Sequence, residues 1–66
     1  MTWTTRQLEV MVEIASGDTY AMIGQRLGMS EQTVKNHAQD ARRRIDVSSN
    51  IEAFRRMGWL IVPKLM

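Results

Sequence analysis

Lys35, Asn36 and Gln39 carry the most informative chemistry in this chain of 66 residues. The amide of Asn or Gln sets a donor beside an acceptor, which matches the major-groove edge of adenine. A Lys ammonium donates to guanine O6 and N7, or to a phosphate oxygen. At 100° per helical residue these three side chains cluster on one side of a helix that starts near Ser30. Ser30, Thr33 and the free N–H groups at that helix start suit phosphate oxygens. Arg42 and Arg43 lie about two turns further on, where they reach a flanking backbone. His37 is either a packed residue or a phosphate donor. Asp40 is its only acidic neighbour on the helix and no nucleophile is near, so general acid–base chemistry is set aside. Polar residues of this kind also line ordinary solvent-facing helices, so their meaning rests on the elements that position them.

Caps and apolar periodicity predict four helices and no sheet. Thr4 and Gln7 form a capping box, with Trp3 and Leu8 at the staple positions, and Leu8, Met11, Val12 and Ala15 make an apolar stripe. This first helix runs from about residue 5 to 16, and Gly17 stops it. Asp18 and Thr19 cap a second helix that ends at Leu27, with Ile23 and Leu27 as its buried pair. Gly24 inside it costs ~1 kcal/mol against Ala, which implies a close neighbour. Ser30 caps the third and longest helix, to about Ile45, with the seam Val34, Ala38, Ala41 and Ile45. Ser49 and Glu52 form a further capping box for a short fourth helix stopped by Gly58.

Only Leu27-Gly28-Met29-Ser30 joins the second helix to the third, the short Gly-containing turn of a helix-turn-helix. The fold expected is therefore an all-α, four-helix helix-turn-helix without a wing. Its third helix, about residues 30–45, is the reader in a major groove.

Composition narrows the function. The length allows one domain, residues 1–66. There is no cysteine and only one histidine, so disulfides, thiolate nucleophiles and a zinc cluster are excluded, and neither an enzyme nor a cofactor is expected. The longest apolar run, Trp59-Leu60-Ile61-Val62, is too short to span a membrane, and no secretory leader is visible. A soluble cytoplasmic module is the expectation. Residues 1–24 hold one arginine against three acidic side chains, whereas residues 25–66 hold eight basic against four acidic. That polarity steers the second part toward a polyanion.

Four stretches carry a family resemblance. Trp3-Thr4-Thr5-Arg6-Gln7-Leu8-Glu9-Val10-Met11 is similar to L-T-x-R-E-x-E-V-L. Ile23-Gly24-Gln25-Arg26-Leu27-Gly28-Met29-Ser30 is similar to I-A-x-x-L-x-I-S. Thr33-Val34-Lys35-Asn36-His37 matches T-V-K-x-H, the most specific piece. Val47-Ser48-Ser49 with Glu52-Ala53 resembles V-x-[ST]-R-x-E-A. Together these resemble the LuxR/FixJ (GerE-type) DNA-binding domain, without a gap from Trp3 to about Ala53, here in a stand-alone form. The resemblance implies base contacts at Lys35, Asn36 and Gln39 and phosphate contacts at Thr33, Lys35 and the end of the third helix. It also implies a regulator that binds double-stranded DNA as a homodimer through its fourth helix. Ile51, Phe54, Arg55 and Trp59 are the dimer or partner surface on that reading. The chain departs from the pattern at Met22 for glutamate, Gly24 for alanine and Asn50 for arginine, and Gly58 comes early.

The leading expectation is a sequence-specific transcriptional regulator acting by occlusion or recruitment at a promoter. The alternative is a protein-binding module, similar to sigma-factor region four, that docks on RNA polymerase or a host regulator. Its active surface would be the acidic first 24 residues and the apolar tail from Trp59 to Pro63.

Overall fold

The computed structural model describes residues 3–59. Among them are four helices, α1 (Thr5–Ala15), α2 (Tyr20–Leu27), α3 (Glu31–Arg44) and α4 (Asn50–Arg56), and no strand. The apolar tail beyond Trp59 lies outside the described residues.

Each helix starts on a hydroxyl cap. The side chains of Thr4, Thr19, Ser30 and Ser49 accept from the backbone N–H three residues on, removing one of the orphan donors at each start. The box at α1 is complete, because the Thr4 N–H also donates to Gln7 Oε1 at 3.0 Å. At α4 the expected box is displaced by one residue. Glu52 takes the N–H and the hydroxyl of Ser48, at 3.1 and 2.8 Å.

The helix ends share one device too. The N–H groups of Asp18, Met29, Val47 and Trp59 reach back five residues, to the carbonyls of Glu13, Gly24, Arg42 and Phe54. This is the long bond of a Schellman ending, which needs a left-handed residue just before the donor. Glycine supplies it at three ends, and Asp46 supplies it after α3 with φ 56°.

The core is Trp3, Val10, Met11, Ile23, Val34, Ala38, Ala41, Ala53 and Phe54. Helix α3 packs against α1 and α2, and α4 packs against α3. The seam of Val34, Ala38, Ala41 and Ile45 faces inward as its spacing implies, with Ile45 half-buried at its end. The face of α1 is rotated from the expected one. Val10 and Met11 are fully buried beside Gln7, whereas Val12 is 44% exposed. Gln7 tolerates burial because the capping box satisfies its amide oxygen, and α1 turns its buried face accordingly.

Trp3 is buried and its indole Nε1–H donates to the Ala41 carbonyl at 2.8 Å. That carbonyl sits in the last turn of α3, where the usual partner Ile45 N–H has turned to Arg42 O. Trp3, the residue before the α1 cap, therefore satisfies an orphan acceptor at the far end of α3.

Gly24 explains the short turn. A Cβ there would stand 2.5 Å from the Met29 carbonyl oxygen, and close to Ser30 and Glu31 backbone. The turn folds back over α2 at this point and is fastened by the Met29 N–H donating to Gly24 O at 2.9 Å. What presses on Gly24 is the turn and the start of α3.

Candidate nucleic-acid interface

With its seam buried, α3 presents an outward strip in which Gln32, Lys35, Asn36, Gln39, Asp40 and Arg43 are all exposed. Lys35, Asn36 and Gln39 thus stand together on the solvent face, as their spacing implies. Two neighbours shape the strip, and one of them, Gln32, escaped the sequence reading. Gln32 Nε2 donates to Asn36 Oδ1 at 3.1 Å, which orients the Asn36 amide through its oxygen and uses none of its N–H donors. The i, i+4 spacing of two amides was the signal for that pair. Asp40 sits on the same strip, and Arg43 Nη1 meets its carboxylate at 3.5 Å.

At the start of α3, Ser30 Oγ accepts the Thr33 N–H at 3.1 Å and lies 2.9 Å from Thr33 Oγ1. Its oxygen accepts the cap bond, and the two hydroxyls and the first backbone N–H groups of α3 stand together at this helix start. Glu31 occupies the first turn and Arg42, Arg43 and Arg44 the last, each at the dipole end that suits its charge. His37 is half-buried on the other flank of the helix.

Arg42 and Arg43, adjacent in sequence, have different surroundings. Arg43 is exposed. Arg42 is half-buried, and its Nη1–H donates to Asn50 Oδ1 at 2.7 Å. Asn50 Nδ2 in turn donates to the Tyr20 hydroxyl at 3.1 Å, so one chain of bonds ties α3 to the first residues of α4 and α2. No local sequence signal joins residues that far apart.

The expected dimer surface is divided by the fold. Ile51 is 50% exposed and Arg55 is exposed. Phe54, expected on that surface, is instead a core residue with 3% exposure. Its ring stacks on Trp59 with centroids 5.5 Å apart, and Trp59 meets Trp3 edge-on at 5.9 Å. A domain this small needs the aromatic area inside, and the bond from Trp59 N–H to Phe54 O brings the two rings together.

The acidic first segment is partly neutralised within the fold. Arg26 on α2 pairs with both Glu13 and Asp18, the latter at 2.6 Å. The Arg26 guanidinium beside Asp18 holds its carboxyl below the usual range. The Ser48 N–H and hydroxyl do the same for Glu52.

Two capped helices around a three-residue turn, the second with a polar outer face, define a helix-turn-helix nucleic-acid-binding domain. The family model for bacterial regulatory proteins of the luxR family matches residues 1–57, and the chain belongs to that family of DNA-binding helix-turn-helix regulators. No curated protein and no solved structure matches it. Among the described residues no helix is long and apolar enough to cross a membrane.

Proposed function

We propose that the chain reads a specific double-stranded DNA sequence with α3 in the major groove and acts as a homodimer on two half-sites. The observation that carries this reading is the outward strip of α3, held clear of the core by the buried Val34, Ala38 and Ala41 seam. Lys35, Asn36 and Gln39 are the base-reading side chains, and Gln32 orients Asn36. Thr33, His37, Arg42, Arg43 and the N–H groups near Ser30 hold the phosphates. Ile51 and Arg55 of α4 are the exposed groups open to a second subunit.

One subunit making ~3–5 phosphate contacts binds weakly, with log K falling against log salt at a slope of roughly −3 to −4.5. Two subunits on neighbouring half-sites supply useful affinity. Control then comes from promoter occlusion or recruitment.

Selection of duplexes from a random pool tests the proposal, with the mass of the selected complex measured. An enriched motif bound two-to-one is the expected result. The Asn36→Ala, Gln39→Ala double variant then loses discrimination at the bases those residues read, each pair contributing ~1–3 kcal/mol. A pool that yields only sequence-independent, salt-sensitive binding refutes the reading and turns the search to protein partners.

A further inference from the structure

We propose that Asn50 and Tyr20 are positioning residues that hold the Arg42 guanidinium ready for one DNA phosphate at the edge of the reading helix. This assignment rests on the DNA-reading function above and names two residues that take part in it without touching a base.

Four observations converge. First, the bonds run Arg42 to Asn50 to Tyr20, at 2.7 and 3.1 Å, and so fix the arginine from α4 and α2 together. Second, the partner of Arg42 is neutral. Arg6, Arg26 and Arg43 each meet a carboxylate, whereas among the described residues no carboxylate pairs with Arg42. A half-buried cation whose charge the fold leaves unmatched is suited to an anion from outside. Third, Arg42 lies seven residues after Lys35, almost on the same line of the helix, which places it about 10 Å along the edge that flanks Asn36 and Gln39. Fourth, Asn50 stands where the family pattern has arginine. A second cation there would repel Arg42, while an amide offers it an acceptor. One bond from Nη1 leaves the remaining N–H donors of the planar fork for a phosphate.

The advantage is preorganisation. A long arginine side chain loses rotamer freedom when it grips a phosphate, and the bond to Asn50 removes part of that loss before DNA arrives. Arg42 should therefore contribute one full phosphate contact, and Asn50 should act only through Arg42.

The test measures affinity for a selected duplex between about 50 and 200 mM salt. Far-UV circular dichroism confirms that each variant is folded. Ser49 remains the α4 cap in Asn50→Ala, and alanine is a good helix former at that position. Arg42→Gln should make the salt slope shallower by about 0.9. Asn50→Ala should weaken binding roughly two- to tenfold, the equivalent of ordering one long side chain, with the slope kept. Tyr20→Phe should move affinity the same way by less. In the Arg42→Gln background, Asn50→Ala should change nothing further.

An Arg42→Gln variant with the full wild-type slope overturns the assignment. So does an Asn50→Ala effect that persists undiminished without Arg42, since a merely structural asparagine behaves that way. A wild-type chain with no affinity for any duplex overturns the DNA-reading function itself, and the two failures are told apart by that control.

Discussion

Replacing Gly24 by alanine tests the packing of the helix-turn-helix directly. Intrinsic propensity favours the change, since alanine is better than glycine inside a helix by ~1 kcal/mol. Geometry opposes it. The new Cβ would stand 2.5 Å from Met29 O, where ordinary contact begins near 3.4 Å. The obstruction is backbone, so no rotamer change relieves it. The Met29 peptide must move, although its N–H is bonded to Gly24 O and the next residue caps α3. Overpacking of this kind costs ~1–3 kcal/mol, and with backbone on both sides the upper part of that range applies. The net expectation is a loss of about 1–2 kcal/mol after the propensity gain. For a domain of this size the midpoint falls by roughly 5–15 °C. Thermal and urea unfolding followed by far-UV circular dichroism measure it. Gly28→Asn is the control, because that site has φ +71° and nothing within 4 Å of an added Cβ. Asparagine tolerates a left-handed backbone, so the control should lose less than Gly24→Ala. A Gly24→Ala midpoint equal to or above wild type would refute the argument, by showing that the turn shifts freely away from α2.

Asp46→Gly should stabilise the chain by about 0.5–1 kcal/mol in urea unfolding, because Asp46 fills with an ordinary side chain the left-handed place that glycine fills at the other helix ends. Trp3→Phe should lose about 1–3 kcal/mol, since the Ala41 carbonyl is then left without its indole donor. Acid should weaken the fold through Asp18 and Glu52. Both carboxyls titrate lower folded than unfolded, so their contribution is fully present above the ordinary carboxylate range and is lost as pH falls through the lowered values, below about pH 4. Arg26→Gln removes the largest cause of the Asp18 shift, so a pH titration of that carboxyl by NMR should move toward its ordinary value.

Local chemistry wrote much of this protein into its sequence. Hydroxyl residues at Thr4, Thr19, Ser30 and Ser49 mark helix starts, and glycines at 17, 28 and 58 mark ends, because capping involves only neighbours along the chain. The α3 seam and the opposing Lys35, Asn36 and Gln39 strip follow from helical periodicity for the same reason. Other features depend on residues far apart in sequence that meet only when the helices pack. Gln7 can be buried in place of an apolar side chain because its amide is already satisfied, which rotates α1 and leaves Val12 outside. Phe54 goes to the core, where it stacks on Trp59 and Trp59 in turn meets Trp3, although the family resemblance put it on the dimer surface. Arg42 and Arg43 are identical in type and adjacent in the chain, yet tertiary structure separates them. One is held by Asn50 and Tyr20 from two other helices, while the other extends into solvent beside Asp40. Sequence determined which residues form the third helix and which of them face outward. Packing decided that Arg42 is held from two other helices, since side-chain order depends on partners that periodicity along one helix does not encode.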